Sequence, residues 1–187
     1  MGWGCGRKLQ LSAIGKWDNA SEEPMRLVLN ELSLTHPALR GHPVDLAKYG
    51  GLALQREGHS SPVQAEVDSS GIQSVVDVEW LHQDLTVLEV LDKHRVTEDG
   101  AEAVALAYAN SEGGWVVKRR LQRRERADWL LRNQSDWLVL EISGTTTGDP
   151  YARLEEKLIQ VAGCSLPANR LAVVVAFSGP QVVAGSP

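Results

Sequence analysis

The chain of 187 residues carries 19 Lys and Arg against 24 Asp and Glu, a net charge of −5, with 43% hydrophobic and 23% charged residues. Such a length and balance predict one folded domain with its own core, and they exclude the disordered and fibrous classes. The negative net charge excludes a protein that coats nucleic acid through a broadly basic surface.

Residues 1–24 are rich in Gly and scattered polar groups and read as a loose N-terminal arm without the apolar segment of a secretory signal. The longest purely apolar run, residues 171–177, is far short of the roughly 20 residues that span a bilayer. A cytoplasmic location with no membrane association is therefore the expectation. Cys5 and Cys164 are expected to remain thiols in that setting. The five histidines lack the close Cys/His spacing of a zinc site.

Residues 25–95 read as an N-terminal extension. A short helix is expected over residues 26–34, and loops beyond it, because His36-Pro37, His42-Pro43 and Gly50-Gly51 punctuate the segment. Leu52 and Leu54, then Val63, Ala65 and Val67, alternate as strands do, and Asp68-Ser69-Ser70-Gly71 turns into Val76, Val78 and Trp80. Together they predict a β-hairpin. Residues 81–95 suit helix and strand equally.

Residues 96–179 are more regular. Thr97 reads as an N-cap with Glu98 and Asp99 behind it, and Ala101, Val104, Ala105 and Tyr108 share one helical face until Gly113-Gly114 ends the run. A strand over 115–123 leads into K-R-R-L-Q-R-R-E-R at 118–126. Lys118, Arg119, Arg120, Arg123 and Arg124 there form either a strip for nucleic-acid phosphates or a charged edge that discourages aggregation. Residues 127–132 and 137–145 form a second hairpin around a polar turn at 133–136. Asp149-Pro150 opens a helix whose buried side is Tyr151, Leu154, Leu158 and Val161, and Gly163 closes it. The run 171–177 reads as an inner strand, and 180–187 as a tail. The fold expected is α+β or α/β, with helix, three strands, helix and strand in that order after an N-terminal hairpin.

A symmetric turn that pairs Asn133 with Asp136 brings Asp128 opposite Glu141, with Cβ atoms ~5 Å apart. Two carboxylates so close repel unless a cation lies between them, and magnesium, which takes one or two carboxylates plus water and phosphate oxygens, suits the pair. The plainer readings are a turn residue at Asp128, a structural ion pair at Glu141 and a solvated Lys157.

These residues resemble the core of the PD-(D/E)XK nuclease superfamily, a restriction-endonuclease-like α-β-β-β-α-β arrangement with an Asp near one strand start and Glu-X-Lys on the next. Asp128 and Glu141 match the acids, and Glu98, or Glu102 a turn later, resembles the helical glutamate that some members add. In Leu140-Glu141-Ile142-Ser143-Gly144, Ser143 stands where the lysine falls, and Lys157 on the following helix is similar to the replacement some families use. Thr97-Glu98, residues 140–144 and Lys157-Leu158-Ile159-Gln160 together also resemble a set of short bacterial proteins. The resemblance implies a nuclease in which Asp128, Glu141 and Glu98 hold Mg2+ or Mn2+ and Asp128, Glu141 and Lys157 carry catalysis. The alternative it leaves open is a catalytically inactive member serving as a nucleic-acid-binding or protein-interaction subunit, with a homodimer or a protein partner possible in either case.

Overall fold

A computed structural model describes residues 24–187. The arm expected at 1–24 and Cys5 thus lie outside the described residues, Pro24 apart. Among the described residues the fold is a mixed α/β one, with a single eight-stranded mixed sheet. Strand β1 (Met25–Val28) leads through a 3-10 turn into the one-turn helix α1 (Leu32–Thr35). Helix α2 (His42–Arg56) is followed by the hairpin of β2 (Val63–Ser69) and β3 (Ile72–Glu79). Helix α3 (Lys93–Gly113) precedes an antiparallel meander of β4 (Val116–Arg120), β5 (Trp129–Arg132) and β6 (Trp137–Thr145). Helix α4 (Pro150–Ala162) then crosses to β7 (Asn169–Ala176), parallel to β6, and β8 (Gln181–Gly185) follows. Across the sheet the strands run β1-β3-β2-β8-β7-β6-β5-β4.

One sheet therefore runs through both the expected extension and the expected core. The join is β8, which pairs antiparallel with β7 and parallel with β2. Residues 180–187 are accordingly not a tail. Val182, Val183 and Ala184 are buried, so this short strand is held by apolar contacts on both faces as well as by its two ladders.

Several of the expected elements take another form. Residues 25–28 form a strand rather than the start of a helix, since they pair with β3. Gly50-Gly51 lies inside α2, and Leu52 and Leu54 belong to that helix rather than to a strand. A helical glycine costs about 1 kcal/mol relative to alanine, yet here the missing side chains are what the packing needs. A Cβ at Gly50 would stand 2.6 Å from Leu29, and one at Gly51 2.7 Å from Trp80. Helix α3 begins four residues before the expected Thr97 cap, because Asp92 caps it by accepting from the Arg95 N–H at 2.8 Å. Thr97 instead donates its hydroxyl to the Lys93 carbonyl and accepts from Arg56.

Helices α2 and α3 cover one face of the sheet, and their core takes Leu138, Leu140 and Ile142 from β6. Helix α4 covers the other face, where Leu154 and Val161 meet Val139, Val174 and Val183. Tyr151, expected on its buried side, is exposed. The middle of β6 is thereby enclosed on both sides. A polar group placed there must find a partner inside the protein.

Candidate active site at the mouth of strands β5 and β6

The β5–β6 register is the one the turn predicts: Trp129 faces Leu140, Leu131 faces Leu138 and Arg132 faces Trp137. Asn133 builds the turn locally, its side-chain oxygen accepting from the N–H groups of Ser135 and Asp136. At the far end the ladder stops at Asp128. The Asp128 N–H donates to Leu140, which already pairs with Trp129, so two residues oppose one. The Ile142 N–H, which a continued ladder would pair with Ala127, donates instead to the Asp128 carboxylate at 2.8 Å. Asp128 thus ends the hairpin as a bulge and does not pair directly across from Glu141 as the symmetric turn predicts; its side chain is anchored instead at the Ile142 N–H.

Glu141 lies on the α4 side of β6 and is 1% exposed. Its Oε1 accepts from the Lys157 ammonium at 2.6 Å. Its Oε2 is buried and meets no donor group, although a proton shared with the Asp128 carboxylate would bridge the two acids. Burial pushes the Glu141 carboxyl up to about 7, the Asp128 charge adds to the rise, and Lys157 works against it. Burial likewise raises Asp128, against the Ile142 hydrogen bond and the Lys157 charge. Lys157 thus reaches the acid from the following helix, and its ammonium also donates to Gln160 at 3.3 Å.

Ser143, two residues along β6 on the same side, is buried. Its hydroxyl accepts from Arg153 Nε at 2.7 Å, and Glu98 binds Arg153 Nη2 at 3.2 Å and the Gly144 N–H at 3.1 Å. Glu98 raises Asp128 electrostatically. Its oxygens are nevertheless held by Arg153 and the β6 backbone, so it does not complete a ligand set with Asp128 and Glu141. Among the described residues no three His, Cys, Asp or Glu side chains converge to hold a metal ion. Arg153, which no sequence pattern singled out, sits one helical turn before Lys157 on the same face.

Glu102 also faces this region from α3. Arg120 donates to its Oε1 at 2.6 Å, and burial pushes the carboxyl up to about 7 against that guanidinium. The basic strip divides accordingly. Arg120 is bound to Glu102, Arg119 forms a two-pronged pair with Glu125 at 2.7 and 2.9 Å, and Lys118, Arg123 and Arg124 are exposed. The strand expected through residue 123 ends at Arg120, and a 3-10 turn takes Arg123–Glu125.

A cleft of about 540 Å³ opens beside Glu98 and Arg153, lined further by Lys93, His94 and residues 144–147. The site is therefore a buried Glu141 beside a half-buried Asp128, with a lysine on the first acid, flanked by a second cation and an open cleft. No family model, curated protein or solved structure matches the chain.

Proposed function

We propose that the protein is a magnesium- or manganese-dependent nuclease-like enzyme of the PD-(D/E)XK type, acting on nucleic-acid phosphodiesters. The observation that carries this reading is the buried, unpartnered Oε2 of Glu141 beside the Asp128 carboxylate, with Lys157 on the other Glu141 oxygen. A buried acceptor without a donor is costly, and a cation shared with Asp128 would satisfy it. Two carboxylates suit magnesium, which completes its shell with water and substrate oxygens. Bound there, the ion would polarise the phosphoryl group and acidify a coordinated water.

The remaining roles fall to the chain. Asp128, tied to the Ile142 N–H, holds its carboxylate in place without a search among rotamers. Lys157 brings a positive charge within one hydrogen bond of the acid pair, where it can stabilise charge developing at phosphorus. Arg153, held by Ser143 and Glu98, places a guanidinium at the edge of the cleft, suited to a phosphate oxygen. The succession of α3, three strands, α4 and β7 supports the same reading.

The decisive assay is manganese-dependent cleavage of single- and double-stranded DNA and of RNA. Wild type should cut, while Asp128→Ala and Glu141→Gln should lose activity by about 100-fold or more and Lys157→Ala by a comparable factor. Equal cleavage by all four proteins would defeat the assignment. A second reading, an inactive relative that binds nucleic acid or a protein, draws on the Arg153–Ser143–Glu98 network, which occupies the usual lysine position without a lysine. Under that reading nucleic acid is retained on the protein but never cut by wild type.

A further inference from the structure

Cations reach the surface on both sides of the acid pair, in one row along α4. Arg126 closes the turn between β4 and β5, and its Nη1 lies against the end of α4, where a Cβ at Gly163 would stand 2.7 Å away. Toward the start of the helix come Lys157 and then Arg153, with side chains 21% and 39% exposed. Beyond Arg153 opens the cleft of about 540 Å³, with Lys93 from the first turn of α3 on its wall. At the other end Lys118 on β4 and Arg123 and Arg124 in the 3-10 turn extend the row. Its members differ in what holds them. Lys157 and Arg153 are bound by Glu141 and Glu98, and the neighbouring Arg119 and Arg120 by Glu125 and Glu102. Among the described residues Lys93, Lys118, Arg123, Arg124 and Arg126 are exposed and enter no ion pair.

A cation already bound to a carboxylate must exchange one anion for another, whereas an unpaired one gains the whole attraction of a phosphate and releases its counterions. Unpaired cations thus stand at the two ends of the row, with the acid pair between them. The net charge of −5 leaves no broadly basic surface, so attraction for a polyanion is concentrated where these cations cluster. The stretch of α4 from Arg153 to Gly163 is about 15 Å long, which matches about four nucleotides of a strand at 3.4 Å each. We propose that one nucleic-acid strand lies along α4 with its phosphates on this row, running from Arg123, Arg124 and Arg126, across the Asp128–Glu141 pair, to Lys93 in the cleft. The contacts are to phosphate, so affinity is set by charge rather than by base sequence. The inference rests on the nucleic-acid reading above and gives the path of the substrate over that site.

The test is fluorescence anisotropy of a labelled single-stranded DNA oligonucleotide with the full chain, in a chelator so that nothing is cut, over a series of salt concentrations. With about four phosphates neutralised, the logarithm of the wild-type affinity should fall against the logarithm of salt with a slope of about −3. Lys93→Gln at one end and Arg126→Gln at the other should each make the slope shallower by about 0.7, and the double variant Arg123→Gln, Arg124→Gln by about 1.4. All three alter exposed side chains, and thermal unfolding checks that each protein is folded. A wild-type slope shallower than about −1 would overturn the proposal. A slope left unchanged by Lys93→Gln, or by the changes at 123, 124 and 126, would do the same, because the strand would then miss that end of the row. If wild type cuts nothing in manganese while the slopes change as stated, the nuclease reading falls and the strand path stands. Cleavage by wild type with a slope that neither end alters leaves the nuclease reading standing and removes the path.

Discussion

Glu141 and Glu102 are both raised to about 7 from an ordinary value of 4.5, chiefly by burial. The folded protein therefore holds these protons more tightly than the unfolded chain does. Stability attached to them is fully present below pH 4.5 and is lost as the pH rises toward about 7. Glu125, drawn down to about 2 by Arg119, acts with the opposite sign, but below that window. Thermal unfolding between about pH 5 and 7.5 should show a fall in Tm for wild type that is reduced in Glu141→Gln and in Glu102→Gln; parallel curves for all three would refute the assignment. Metal binding requires ionised ligands. The Tm increase on adding magnesium should accordingly be larger at about pH 8 than at about pH 6, and absent in Asp128→Ala.

The site exists because elements of different pitch match over a short span. Ser143 and Glu141 are two residues apart on β6, about 6.6 Å, and Arg153 and Lys157 are four apart on α4, about 6 Å. Each cation consequently meets its partner across the helix–sheet interface. On the other face Gly144 sets the approach of α3. A Cβ there would run into the Thr97 carbonyl oxygen and stand 3.0 Å from Ala101, and its N–H holds Glu98. Gly144→Ala should cost about 2 kcal/mol or more through overpacking against helix backbone, read as a lower midpoint in urea unfolding. An unchanged midpoint would mean that α3 can move outward freely. The glycine pair in α2 follows the same logic, with Leu29 and Trp80 occupying the space its side chains would fill.

Strand β8 joins two groups of strands that would otherwise end at β2 and β7. Deleting residues 181–187 would leave both edges unpaired and uncover Val174 and Val67. Such a chain should show exposed hydrophobic surface by dye binding and should associate in gel filtration; a monomer with a native-like unfolding transition would contradict this. What neighbouring residues settle among themselves was legible in the chain. The Asn133 turn and the alternation around it specified the β5–β6 register, Asp149-Pro150 started α4, and Gly114, in the left-handed region at φ 62°, ended α3. That register carried Asp128 to the end of the hairpin beside Glu141, but a bulge and the Ile142 N–H, not a cross-strand pair, place its carboxylate there. Contacts between distant segments settled the rest: α2 continues through two glycines because remote side chains fill their space, β8 is a strand because β2 and β7 flank it, and Glu98 turns to Arg153 rather than to the acid pair. In each case the governing contact joins residues far apart in sequence, where periodicity and capping patterns carry no signal.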